Sequence, residues 1–304
     1  MSAPARTVAS MAAGIDVGGT FTDLAAIAAD GSLQTAKVLS DADDRAVGVL
    51  AALHATSLAP KALAYIAHGT TVVTNLLLER RGARVVACAT AGFTDLLELR
   101  RQERAALYDL TRHHAAPLVA SADVIPVRER VVPEGVLIPL DEAGIARVVA
   151  DVVARAPDTV AITLLHAYAD PTHEAKLADA LRAALAVAWP ACDVICSHEV
   201  LPEIREYERM ATTVAEAYAR PAVRRYLGGL GERLEAAGFP VPRVMTSAGG
   251  TLSATEAARH AASLALSGPA GGVTGASAVA RKWLATIAAC PVVAKSAAVS
   301  SLSA

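Results

Sequence analysis

The stretch that most restricts this chain is DVGGTFTD at residues 16–23. A short apolar run over 12–17 delivers an aspartate to Gly18-Gly19, and a second run over 22–28 follows at once, ending at Asp30-Gly31. Two strands joined by a glycine turn fit that spacing, and the glycines leave backbone amides clear of side chains. Such amides can face a phosphate, while Thr20 and Thr22 add hydroxyl donors. Asp16 and Asp23 are placed to hold a hydrated Mg²⁺, which takes one or two carboxylates, water and phosphate oxygens. The competing account is an ordinary hairpin turn whose threonines satisfy their own backbone. The chain has no GxxxxGK[ST] loop, and no GxGxxG lies between a strand and a helix.

From there sheet and helix alternate. Residues 34–39 read as a third strand, Asp43 as the cap of a helix to Leu58, and 65–68 as a strand running into Gly69-Thr70-Thr71. A helix to Arg80 ended by Gly82, a strand over 84–90 and a short helix near Leu96 come next. Pro126, Pro133 and Pro139 punctuate an extended segment. A helix over 141–156, a strand over 159–165, a helix opened by Asp170-Pro171 and a strand over 193–197 continue the pattern. A long helical pattern then reaches Ala237, with interruptions expected at Pro221 and Gly228-Gly229. A strand over 243–245, a capping box of Ser253 with Glu256, and a glycine-rich turn over 267–272 leading into a helix to Leu284 complete it. The alternation argues a partly parallel sheet with flanking helices.

Charge and cysteine narrow the class. Lys plus Arg total 28 against 30 Asp plus Glu, without long single-sign runs, so neither a nucleic-acid surface nor an anionic membrane is implied. The 54% hydrophobic content comes largely from alanine, and no uninterrupted apolar run has spanning length. With no signal-like run before the first strand, a cytoplasmic location is expected. Cys88, Cys192, Cys196 and Cys290 are too scattered for a disulfide framework. Cys192 and Cys196, with His198, suggest a metal site only weakly, because strand residues four apart stand about 13 Å from each other; buried thiols are the expectation.

DVGGTFTD, HGTTVVTNLLLERRGARVVACATAGFTDLLELRRQERAALYDL, LPEIREYERMATTVAEAYARP, MTSAGG and LSGPAGG occur in that order over most of residues 14–281. Together they resemble the hydantoinase A, 5-oxoprolinase and acetone carboxylase family. The resemblance implies an α/β fold of the actin and sugar-kinase (ribonuclease H-like) type, in which ATPase lobes present glycine-threonine turns to ATP. It also implies Mg²⁺, ATP-dependent activation and ring opening of a cyclic amide such as 5-oxoproline, hydantoin or N-methylhydantoin, and a hydantoinase B-type partner subunit. A carboxylating relative of the acetone carboxylase branch is the third reading.

By the same resemblance Asp16, Gly18, Gly19, Thr20, Thr22 and Asp23 form the nucleotide turn. His68, Thr70, Thr71 and Asn75 form a second motif, with His68 either a proton-transfer or substrate-orienting group or a histidine satisfied within its turn. Arg100, Arg101 and Arg104 suit carboxylate or phosphate recognition, or a solvated helix face. Gly268, Gly271 and Gly272 precede a helix whose amides can receive an anion, or else allow tight packing. Residues 205–209 are expected to form an ion-pair network bridging two domains. Where the family has Asn-Ala-Tyr, this chain has Glu216-Ala217-Tyr218. The expected division is an amino-terminal domain over 1–198, the start of a second over 199–284, and an unpatterned tail over 285–304. No second Asp-x-Gly-Gly-Thr turn occurs, so a truncated and inert fragment is the alternative reading.

Overall fold

Strict alternation of apolar with small or polar residues builds the first sheet. The strands are β1 (Met11–Val17), β2 (Phe21–Ile27), β3 (Leu33–Leu39), β4 (Leu63–Thr70), β5 (Val85–Thr90), β6 (Val124–Val127), β7 (Arg130–Val132), β8 (Gly135–Ile138), β9 (Thr159–Thr163), β10 (Asp193–Cys196), β11 (Arg243–Met245) and β12 (Thr251–Ser253). The helices are α1 (Arg45–His54), α2 (Val72–Glu79), α3 (Leu96–Leu99), α4 (Glu142–Ala154), α5 (Thr172–Ala188), α6 (Ser197–Val200), α7 (Glu206–Ala236), α8 (Ala254–Arg259) and α9 (Ser267–Ala288). The computed structural model describes residues 11–27, 31–41, 44–56, 58–109 and 111–288, without the side chains of 278, 279 and 282–288.

Two compact units are formed. One holds the chain up to Thr71 with Gly229–Ala257 and the residues from Ser263; the other holds Val72–Gly228 with Ala258–Ala262. The sequence division expected at 198/199 falls inside the second unit.

In the first unit six strands run in the order β12-β11-β4-β1-β2-β3. β1 is antiparallel to β2 and parallel to β4, and β4 is parallel to β11. Ala13, Ile15 and Val17 of β1 and Thr22, Leu24 and Ala26 of β2 are buried on one face, against which α1 packs. Asp44 accepts from the Ala46 amide and caps α1; the expected cap, Asp43, lies outside the described residues. The opposite face carries Gly14, Asp16, Asp23 and Ala25, and there the amino end of α9 stands beside β4 and β11.

The second unit is built on a parallel sheet in the order β10-β9-β5-β6. Every residue of β5 is buried, as a parallel strand covered on both faces requires. Val86 and Cys88 pack with residues of α4 and α5, while Val85, Ala87 and Ala89 meet Met210, Val214, Ala217 and Tyr218 of α7.

Three expectations fail here. α7 runs without interruption through Pro221. Pro221 has no amide to give the Ala217 carbonyl, and the Thr159 hydroxyl donates to that carbonyl at 3.1 Å instead. α2 stops at Glu79, followed by Arg80 in the left-handed region at φ 58°, so Gly82 is not its stop. Gly82 is small because a Cβ there would lie 2.2 Å from the Tyr218 ring. Residues 267–272 are not a turn before a helix: they are the first turns of α9, which tolerate Pro269 because the opening amides of a helix lack partners within it. That helix extends to Ala288, into the stretch expected to be unpatterned, and residues 289–304 lie outside the described residues.

Candidate functional site

The open face of the first sheet holds a cleft of about 710 Å³. Its floor is made by small residues, Gly14, Ala25, Ala67 and Gly69, so the backbone is reachable; Gly268, Gly271 and Gly272 of α9 form a wall. Asp16 projects from the floor. The strand register sets it opposite Asp23, which in turn is opposite Lys37.

Gly69 is small for a reason tied to that aspartate, since a Cβ on it would stand 2.8 Å from Asp16 Oδ1. A Cβ on Gly268 would lie 4.0 Å from the same oxygen. The carboxylate is therefore seated between β4 and the start of α9. The Ser267 hydroxyl fixes that start by donating to the Thr70 carbonyl at 3.1 Å. Burial, and then the charge of Asp23, hold the Asp16 carboxyl above the usual carboxylate range.

The turn itself contributes less than its sequence suggests. The Gly18 amide donates to the Phe21 carbonyl at 3.0 Å and closes the hairpin, which leaves Gly19 and Thr20 as the exposed positions. Thr22 is turned to the covered face, fully buried, with its hydroxyl 2.9 Å from that of Ser40. It does not join Asp16. Asp23 is engaged by Lys37, whose ammonium donates to its two oxygens at 2.7 and 3.0 Å.

His68 does not reach the cleft either. It pairs with Ile15 in the β1–β4 register and shares that residue's buried face, whereas Gly69 shares the face of Asp16. Burial lowers its pKa to about 4 against a hydrogen bond to the Ile15 backbone that raises it, so it is neutral at ordinary pH. On that covered face the ring is held by its hydrogen bond to the Ile15 backbone. Thr70 is buried at the end of β4, and Thr71 binds the Val17 carbonyl through both amide and hydroxyl at 3.3 Å.

Asn75, Arg101 and Arg104 belong to the second unit. Arg101 is exposed and pairs with Glu208 at 2.6 Å, and Arg104 is exposed. Arg205 also pairs with Glu208, at 3.9 Å. Arg209 is fully buried and donates to the carbonyls of Glu203 at 2.7 Å and Leu164 at 2.8 Å, tying α7 to the end of β9. Glu216, in place of the family's Asn, accepts from the amides of Ala261 at 2.9 Å and Ala262 at 2.7 Å and pairs with Arg220 at 2.9 Å. Its carboxylate serves backbone amides.

Cys88 and Cys196 are buried and Cys192 is half-buried, while Cys290 lies outside the described residues. Burial pushes Cys88 and Cys196 up to about 12 and Cys192 up to about 11. Cys196 and His198 do come together, with Glu174, within 4.8 Å. The Glu174 carboxylate is already occupied: it accepts from Leu164 N at 2.8 Å, Ser197 Oγ at 2.6 Å, and His198 N and Nδ1 at 3.1 and 2.6 Å. Four donors fill its lone pairs, which makes it a structural tie between strand ends.

The mixed sheet, its flanking helices and the aspartate-bearing first hairpin define an α/β fold of the actin-like ATPase kind. Comparison with known proteins gives the family. Residues 12–185 match the hydantoinase/oxoprolinase N-terminal region, and residues 209–287 match hydantoinase/oxoprolinase. The chain belongs to the hydantoinase/oxoprolinase family, as its amino-terminal portion.

Among its relatives, the caprolactamase subunit alpha of Pseudomonas jessenii is 34% identical over 269 residues, covering 84% of this chain and 38% of that protein. The 5-oxoprolinase 1 of Arabidopsis thaliana is 34% identical over 297 residues, covering 86% of this chain and 23% of the relative. In the nucleotide-free structure of acetone carboxylase, from work on ATP-dependent acetone carboxylation, 90% of this chain superposes on 41% of the other at a TM-score of 0.81 and 28% identity. The ATP-dependent caprolactamase structure from P. jessenii gives 0.71 and 30%, covering 84% of this chain and 39% of the other. The chain thus spans about two fifths or less of the length of these relatives. Among the described residues no helix is long and apolar enough to cross a membrane.

Proposed function

We propose that this chain supplies the phosphate-handling part of an ATP-dependent enzyme that activates a cyclic amide for ring opening. The observation that carries the reading is the Asp16 carboxylate, set on an open sheet face between Gly69 and the amino end of α9. A carboxylate oxygen, the exposed amides and hydroxyl of Gly19 and Thr20, and the amino-terminal amides of a long helix form an all-oxygen and N–H donor set. That set suits a hydrated Mg²⁺ with phosphate.

Asp16 would hold Mg²⁺ through water, and the bound ion would neutralise phosphate oxygens. The Gly19 and Thr20 amides and the amino end of α9 would orient the terminal phosphate. Catalysis of phosphoryl transfer consists chiefly of such positioning and charge stabilisation. The amide oxygen of a lactam or hydantoin would attack the γ-phosphorus, ADP would leave, and the ring N–H proton would pass to solvent. The resulting O-phosphorylated imidate would take up one water at carbon and open its C–N bond to give an acyl phosphate, and a second water would release the carboxylate and inorganic phosphate. A hydantoinase B-type subunit would complete that hydrolysis, in keeping with relatives named as subunits.

The test is phosphate release from Mg-ATP by the chain with 5-oxoproline, hydantoin, N-methylhydantoin or caprolactam, with and without a B-type subunit. Turnover dependent on a cyclic amide supports the reading. Turnover dependent on acetone with bicarbonate transfers the chain to the carboxylating branch, and no ATP turnover in any mixture leaves the inert-fragment reading standing.

A further inference from the structure

We propose that Lys37 is the phosphate-binding cation of the cleft and that Asp23 positions it. The inference rests on the nucleotide reading above and deepens it, because Asp23 then has no direct part in holding metal.

Cross-strand register places Asp16, Asp23 and Lys37 in one row across β1, β2 and β3. Neighbours in such a row stand about 5 Å apart and interact directly. The lysine leans back along the row to reach both oxygens of Asp23, at 2.7 and 3.0 Å, and its ammonium lies 4.6 Å from the centroid of the Phe21 ring. Carboxylate and ring thus fix an otherwise flexible side chain from two sides. An ammonium has three N–H donors, so one remains for a ligand after the two Asp23 contacts.

The charge balance of the cleft calls for this cation. Among the described residues that line it, Asp16 and Asp23 bring two negative charges and Lys37 is the sole lysine or arginine. A triphosphate entering a site with two carboxylates and no cation meets like charge on its floor. With Lys37 paired to Asp23, only Asp16 remains for the metal, and the ammonium faces the same space. Lys37 stands on the exposed side of the sheet, so its replacement leaves the core untouched.

The experiment is titration of the 304-residue chain with a fluorescent ATP analogue, competed by unlabelled ATP and ADP with Mg²⁺, for wild type, Lys37→Met, Lys37→Arg, Asp23→Asn and Lys37→Met/Asp23→Asn. Thermal unfolding of each variant checks that the fold persists. A charge-assisted contact corresponds to roughly a ten- to hundredfold loss of ATP affinity in Lys37→Met, with ADP affected less and Lys37→Arg partly restoring binding. Asp23→Asn weakens binding less than Lys37→Met, and the double variant is no weaker than Lys37→Met alone. Wild-type binding with Lys37→Met within twofold of it overturns the assignment and leaves the nucleotide reading standing. Absence of nucleotide binding by wild type overturns both. A shift in the Mg²⁺ concentration needed for binding when Asp23→Asn is added to Lys37→Met makes Asp23 a metal residue and overturns its positioning role.

Discussion

Acidification provides a direct reading of where His68 lies. Its pKa falls from an ordinary 6.5 to about 4 because the ring is buried and 1% exposed. A histidine lowered in this way binds its proton more tightly when unfolded, so stability is complete above the unfolded value and declines as pH falls toward the folded one. From these two values the contribution lost between pH 8 and pH 5 is about 2 kcal/mol, approaching a limit of about 3 kcal/mol below pH 4. Urea unfolding of wild type and His68→Gln at both pH values isolates the term, since other titrating groups cancel in the difference. Wild type should lose about 2 kcal/mol more than the variant. Titration of the His68 ring by NMR should give a midpoint near 4. Equal losses in the two proteins, or a midpoint near 6.5, would refute the buried-face placement and return His68 to the list of proton-transfer candidates.

Asp16→Asn should raise the thermal midpoint at pH 7 while removing Mg-ATP binding. A carboxyl held above its unfolded value loses stability as pH rises through that window, and the amide has no such loss. Gly69→Ala should weaken Mg-ATP binding with little change in unfolding temperature, because the new methyl would press on the mobile end of Asp16, 2.8 Å away. Thr159→Val should cost about 1–3 kcal/mol by leaving the Ala217 carbonyl without a donor, and most of that cost should vanish in a Pro221→Ala background, where an amide is restored. Gly82→Ala should destabilise by about 1–3 kcal/mol through over-packing against the Tyr218 ring, read as a lower urea midpoint.

Much of the fold was legible because period and punctuation agree along the chain. The apolar runs on either side of Gly18-Gly19 gave the first hairpin, and 84–90 read as a strand, which the structure then buries along its whole length. Two of the misses share one cause: each depends on a partner distant in sequence. Pro221 reads as a helix breaker until Thr159 supplies the missing donor. Gly82 reads as a helix stop, yet the Tyr218 ring dictates its size.

The same holds for the candidate site. Asp16 was legible because a strand leads into a glycine turn. Parity alone separates Thr22 from Asp23 and His68 from Gly69, but that signal becomes usable only once the register with β1 is known. Lys37 was missed entirely, although its place five residues after Ser32 in an alternating strand puts it on the same face as Leu33 and Thr35. The bonding of Asp23 to Lys37 is a cross-strand fact that no local motif carries.

In the proposed function the floor of the cleft at Asp16, with the adjacent Thr20, receives the phosphates of Mg-ATP. Isothermal titration of Mg-ATP into wild type and into an Asp16→Ala/Thr20→Ala variant tests it most directly. Saturable binding to wild type and none to the variant is expected; equal affinity in the two would remove Asp16 and Thr20 from the phosphate site.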